Sequence, residues 1–169
     1  PEYRRLDIFG ATVSKEIHDV VFKGDFVYTK DDFFPVIDEG DADGVVRSGH
    51  LDYLLGADYT FFEKLDVNFQ FIQEIILDHA KTMINQDKLN SSFSLRLSRN
   101  FWNRKLQTEL LTIYGLNAPD FLYQPKVKYD LTNNWQVSIG ADIFAGRSSG
   151  VFGYFRNQSR YFSQLVYKF

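Results

Sequence analysis

Apolar and polar residues change places at every second position through most of this chain. In residues 51–61, Leu51, Tyr53, Leu55, Ala57, Tyr59 and Phe61 alternate with Asp52, Leu54, Gly56, Asp58 and Thr60. In residues 65–74, Leu65, Val67, Phe69 and Phe71 stand against Asp66, Asn68, Gln70 and Glu74. A period of two belongs to extended strands whose faces meet different surroundings. Helical periodicity, which recurs every 3.6 residues, is almost absent. The chain therefore reads as all-β.

Nine strand-like segments carry the pattern. The first covers 4–17, with Phe9, Ala11 and Val13 placed on its apolar face. The next places Phe22, Phe26 and Tyr28 opposite Lys23, Asp25 and Thr29. The segments at 51–61 and 65–74 follow, then 92–98, where Phe93, Leu95 and Leu97 oppose Ser94, Arg96 and Ser98. Residues 106–115 and 121–129 come next, and 135–146 sets Trp135, Val137, Ile139, Ala141 and Ile143 against Gln136, Ser138, Gly140 and Asp142. The last segment is 161–169. Short connections are read at 18–19, 62–64, 100–105 and 130–134. Longer ones are read at 30–49, 78–90 and 146–160, with 116–120 a shorter member of that set.

Two architectures use such strands. A soluble sandwich or lipocalin-like barrel turns its apolar rows inward, whereas a transmembrane barrel turns them outward to lipid and keeps a polar interior. Here the polar rows carry full charges on nearly every strand. Aromatic residues make up 17% of the chain and gather at strand ends. Phe61, Phe62, Phe101, Trp102, Tyr129 and Trp135 lie beside the short turns, where a membrane barrel places an interfacial girdle. No apolar run reaches the ~18 residues of a membrane helix. Lipid offers the backbone no hydrogen bonds, so strands cross it only as an edge-free sheet. The expectation is an antiparallel up-and-down transmembrane β-barrel in a bacterial outer membrane. Residues 1–169 then form one domain, with long loops outside and short turns at the periplasmic face.

The final stretch, "SRYFSQLVYKF", places Tyr161, Leu165, Tyr167 and Phe169 on alternate positions, with Ser163 between them. It resembles the C-terminal signature of Gram-negative outer-membrane barrels, which the barrel-assembly machinery reads. A wider resemblance covers roughly residues 20–169. The stretches "FKGDFVYTK", "GADYTFFEKLDVNFQFI", "PKVKYDLTNNWQVSIGADIFAG" and "GVFGYFRNQSRYFSQLVYKF" are similar to the C-terminal half of a barrel family of unknown function. Members of that family are encoded beside RND-type exporters of lipids and hydrophobes. The resemblance implies a porin-like or export role in transport, an exporter or periplasmic partner, and a longer parent chain.

The strand count points the same way. Single-chain bacterial barrels hold an even number of strands, and nine are read here. The chain begins at Pro1 without an initiator Met, and is read as a mature protein or a fragment that lacks upstream strands. The second solution is a small eight-stranded barrel without a pore, built from the last eight segments.

Candidate lumen-lining residues are Lys23, Asp25, Asp58, Glu74, Arg96, Glu109, Lys126, Lys128 and Asp142. Lys23 and Asp25 fall beside Asp58, Arg96 beside the strand of Glu74, and Lys126 and Lys128 between the strands of Glu109 and Asp142. Such charges either set solute preference in a pore or tie the wall together as cross-strand pairs. In "DEGDADG", Glu39, Asp41 and Asp43 alternate as at the start of a Ca²⁺ loop, but the twelfth position is His50 rather than a bidentate Glu. A solvated acidic loop, able to bridge to lipopolysaccharide phosphates, is the preferred reading. No cofactor is expected.

His18, His50 and His79 are far apart in sequence, and Ser148, Ser149 and Ser159 have no evident base, so no lipase-type triad is legible and no enzyme is expected. His50 and His79 fall at one membrane level, a spacing that offers a candidate surface metal contact. There is no Cys, and a net charge of −3 without a basic block argues against nucleic acid. Outer-membrane lipid and lipopolysaccharide are the expected surroundings. The loop "GRSSGVFGYFRNQSR", carrying Arg147, Arg156 and Arg160, either plugs the lumen or caps the rim. The alternative to a channel is a structural barrel that anchors or sheathes another protein.

Overall fold

The computed structural model describes residues 6–37, 44–62, 64–84 and 87–169. The strands are β1 (Asp7–Ile17), β2 (Val20–Pro35), β3 (Val45–Phe61), β4 (Leu65–Ile76), β5 (Leu89–Phe101), β6 (Leu106–Gly115), β7 (Asp120–Asp130), β8 (Trp135–Gly146) and β9 (Arg160–Tyr167). They pair antiparallel in strict sequence order, β1 to β9, within one sheet. The one helical turn among the described residues is a 3₁₀ turn at Gly153–Phe155. Among those residues β1 pairs with β2 and β9 with β8, and no bridge joins β1 or β2 to β9, so the sheet is open. The eight-stranded closed solution is therefore not formed.

Cross-strand partners share a face, so the register assigns every side chain. The row Phe9, Tyr28, Leu51 and Ile75 runs across four strands, as does Ala11, Phe26, Tyr53 and Gln73 beside it. Further along, Phe71, Phe93, Tyr114, Phe121 and Ala145 share that face. Ala141 meets Tyr161, Val137 meets Leu165 and Trp135 meets Tyr167 on the same side. The phase of β1 is also fixed, with Phe9, Ala11 and Val13 on this apolar face.

The burial of the two faces is the reverse of a soluble core. Leu95 is 38% exposed and Leu165 62%, and Phe22, Phe26, Phe69, Tyr123 and Ile139 are exposed with them. On the opposite face Ser94 is 5% exposed and Asp142 4%, with Ser98 and Ser138 also buried. One cavity of about 880 Å³ touches side chains of β2, β3, β4, β5 and β6 together. Adjacent strands are about 4.8 Å apart, so a flat sheet could not bring five of them around one space. The sheet is curled, with its polar face inside.

Tight turns close one end. His18 and Asp19, with φ of 48° and 66°, form a two-residue hairpin loop whose left-handed pair suits the strand twist. Trp102, Asn103 and Arg104 take φ of 50°, 52° and 68° in the β5–β6 turn. Phe62, 91% exposed, and Trp102 project at this end beside the Tyr129 ring, 6.3 Å from Trp102, and the Trp135–Tyr167 pair at 4.8 Å.

At the other end the strands run further than the sequence suggests. Residues 30–49, expected as a loop, instead continue β2 to Pro35 and begin β3 at Val45. Their apolar positions Phe34, Val36 and Val46 pack with Ile76, Ala80 and Met83 into a small core. Apolar burial there holds the 77–84 segment against the β2–β3 arm through the Val36–Met83 bridge.

Gly140 shows how tightly β7, β8 and β9 approach. A Cβ there would lie 2.6 Å from Cζ of Phe162 and 2.9 Å from the Pro125 carbonyl oxygen. Phe162 covers the glycine on the inner face, opposite it in register. Gly140→Val is expected to destabilise the fold by about 1–3 kcal/mol through overpacking. Denaturant titration followed by tryptophan fluorescence reads the loss, and an unchanged midpoint contradicts the packing.

Candidate functional site

The inner face is built from charges contributed by successive strands. Lys23 on β2 is ion-paired with Asp58 on β3, which also accepts from the Asn68 side-chain amide on β4. Arg96 Nη2 on β5 donates to Glu109 Oε2 on β6 at 2.7 Å. Glu109 is opposite Lys126 on β7. Asp142 on β8 accepts from Gln124 Nε2 at 2.7 Å and from Arg160 Nε at 2.6 Å. Along this belt the signs alternate from Lys23 through Asp58, Arg96 and Glu109 to Lys126, whereas Asp25 and Lys128 face uncharged partners and Asp52 faces Glu74. Cross-strand opposite pairs contribute roughly 0.2–1 kcal/mol each, which makes the belt a tie across the sheet as well as a polar surface.

The nine lumen candidates all fall on this inner face by register, but not in one group. Lys23, Asp58 and Arg96 line the 880 Å³ cavity. Glu109 reaches that cavity through Arg96, whereas neither Asp142 nor its partner Arg160 lines it. Lys126 has its ammonium 5.8 Å from the Phe162 ring centroid, and Lys128 lies between Gln107 and Ser138. Asp25 stands between Thr12 and Leu54. Glu74 lies apart from Arg96, which pairs with Asn68; Glu74 is opposite Asp52 and Asn90 towards the far end of β4. The residues Tyr161, Leu165, Tyr167 and Phe169 are all exposed. The candidates Glu39, Asp41 and Asp43 lie outside the described residues.

The β8–β9 connection folds inward across this face. Asp120, buried at the start of β7, accepts the backbone N–H of Phe152 at 2.6 Å and of Gly153 at 3.1 Å. Gly150 and Gly146 pack against the same side chain and its backbone. Gly146, at φ 117°, gives the chain its sharp exit from β8, since a Cβ would strike Asp120. Ser149, Val151 and Phe152 share a cavity of about 470 Å³ with Ile72 and Glu74 of β4 and Ile113 of β6. The loop therefore reaches over the interior rather than only along the rim. Asp120 was not legible as a site residue; its only sequence signal is an acid closing the "NAPD" turn.

A second cluster was also missed. His50, Asp52 and Glu74 place potential ligand atoms within 4.8 Å of one another on the inner face. His50 Nε2 is 3.2 Å from Asp52 Oδ2, and His50 Nδ1 is 3.4 Å from Asp32 Oδ2. The second contact is an ion-pair distance without hydrogen-bond geometry, so the buried Nδ1 is left unpartnered. Among the described residues His79 is not part of this group.

The chain matches no known protein family, no curated protein and no solved structure.

Proposed function

We propose that this chain forms part of the wall of a bacterial outer-membrane β-barrel that passes solutes, hydrophobic ones included, through a polar interior. The observation that carries the reading is the inverted sheet: apolar rows exposed on one face, and a charged, water-accessible cavity on the other. Exposed rows of Phe, Tyr and Leu across nine strands are costly in water and favourable against acyl chains. The aromatics at the tight-turn end suit an interfacial girdle. The strand count favours a larger barrel, since single-chain bacterial barrels hold an even number of strands and nine are present among the described residues. In this reading the exposed edge strand β1 meets further strands, and the sheet is one arc of a larger closed wall.

The resemblance to barrels encoded beside RND-type exporters supplies the export role and the exporter partner. Lipopolysaccharide and the barrel-assembly machinery are the remaining partners of the reading. A structural or sheathing barrel is the second reading, favoured by the neutralised charge belt and the inward loop.

Planar-bilayer recording of the full-length protein separates the two. The conducting reading expects discrete current steps, with ion selectivity shifted towards cations by Arg96→Glu. A bilayer carrying folded protein and no steps, with or without that substitution, leaves only the scaffold.

A further inference from the structure

We propose that His50, Asp52 and Glu74 bind a divalent transition-metal ion, of which Zn²⁺ is the model, at the long-loop end of the inner face. The register brings the ligands together. Asp52 and Glu74 are direct cross-strand partners on β3 and β4, and His50 is two residues from Asp52 on the same face. Two carboxylates placed directly opposite one another repel and destabilise a sheet. The charged groups acting on Asp52 are His50, Glu74 and Asp32, one base and two further acids. A cation between them turns that repulsion into attraction. The spacing also fits. Bonds of about 2.0–2.2 Å to nitrogen and oxygen in a tetrahedral shell put neighbouring ligand atoms roughly 3.4 Å apart. The Nε2–Oδ2 distance is 3.2 Å, and ligand atoms of all three residues lie within 4.8 Å of one another. One imidazole and two carboxylates suit zinc and its first-row neighbours better than calcium, which takes an all-oxygen shell.

A backbone irregularity completes the arrangement. The β2–β3 register slips between Thr29 and Asp32, and Asp31 takes φ 57° within that slip. Such a bulge re-aims the next side chain. Here it turns Asp32 onto the inner face, opposite Ser48, where its Oδ2 approaches His50 Nδ1. Asp32 Oδ1 is fixed by the Phe33 N–H at 2.7 Å. His50 is held from the other side by the Phe34 ring, edge-on at 5.9 Å. Nδ1 has no hydrogen bond to Asp32 as it stands, and a rotation of the imidazole onto a metal would let Nδ1–H donate to that carboxylate, which sets the tautomer and leaves Nε2 free to ligate. The Asn90 side-chain amide, 2.8 Å from Glu74 Oε2, steadies the third ligand and leaves its other oxygen available. Waters would complete the coordination shell.

The test uses the full-length folded protein in detergent, stripped with chelator and titrated with Co²⁺ as an optical probe, then with Zn²⁺ as competitor. One Co²⁺ per chain is expected, with visible ligand-field bands that Zn²⁺ abolishes. Asp52→Asn and Glu74→Gln, which preserve shape, should each weaken binding by at least about tenfold, and Asp32→Asn by about 10- to 100-fold. His50→Ala should abolish the bands; if that variant does not fold, the two isosteric variants carry the test. Absence of saturable Co²⁺ or Zn²⁺ binding below about 100 µM overturns the site. So does unchanged affinity in Asp52→Asn and Glu74→Gln, including the case where neutralising Glu39, Asp41 and Asp43 abolishes binding instead.

Discussion

Leu95→Lys is expected to lower the folded, membrane-inserted fraction by about 2–4 kcal/mol, the depth-dependent cost of a lysine on the lipid face of a barrel. That corresponds to a folded-to-unfolded ratio reduced between about 30-fold and about 1000-fold. Leu95 sits mid-strand on the outward row of β5, opposite Phe69 and Thr112 and away from both ends of the sheet. Gln70→Lys is the matched control. Gln70 lies opposite Gly56 and Ser94 on the inner face and lines the 880 Å³ cavity, so its ammonium reaches water. It is expected to cost less than about 1 kcal/mol. Folding into lipid vesicles, followed by heat-modifiable mobility on a gel, measures both. If the inner substitution is as damaging as the outer one, or more so, the exposed apolar rows do not face acyl chains.

Shortening the β8–β9 connection by residues 148–158 is expected to raise the single-channel conductance, because that segment lies over the interior against β4 and β6. Asp120→Asn tests the same device without removing it. The carboxylate accepts two backbone N–H groups from the loop, and charge-assisted bonds of this kind are worth roughly 1.5–3 kcal/mol each. Asparagine keeps one acceptor oxygen and loses the charge, so the latch should weaken by about 1–3 kcal/mol. Loop opening would then be about 5- to 150-fold more frequent. The recording should show new fast transitions to the level of the shortened variant. Identical current levels in all three proteins mean that the loop does not obstruct the path.

The sequence made the strands legible because a period of two is imposed residue by residue. Both faces could be assigned before any pairing was known, as the Phe93, Leu95 and Leu97 row and its Ser94, Arg96 and Ser98 counterpart illustrate. The register places Phe9, Ala11 and Val13 of β1 on the face the sequence assigned them. The short turns were legible for a similarly local reason, since His18-Asp19 and "DLTNN" carry residues that tolerate turn geometry. What escaped was set by tertiary contact. The β2–β3 arm looked like a loop because its acidic residues obscure Phe34, Val36 and Val46, whose burial depends on Met83 and Ile76 from another segment. The bulge at Asp31 has no period of its own, so Asp32 could not be placed beside His50. Asp52 and Glu74 are 22 positions apart and become neighbours only through the register of β3 and β4. Asp120 gains its meaning from a loop that returns some thirty residues later.

The strict order of the strands has a kinetic corollary. Every ladder from β1 to β9 joins segments that follow one another directly, so hairpins can be laid down one after the next with little entropic penalty. Whatever joins the two free margins must instead draw together ends separated by most of the 169 residues. Loop entropy rises by about 0.6 kcal/mol per doubling of length, so this last joining carries roughly 2–4 kcal/mol more than a hairpin of the lengths found here. In the proposed closed wall the slow event in maturation is thereby concentrated in one lateral seam, and an arc with free margins can accept extra hairpins without disturbing those already in place.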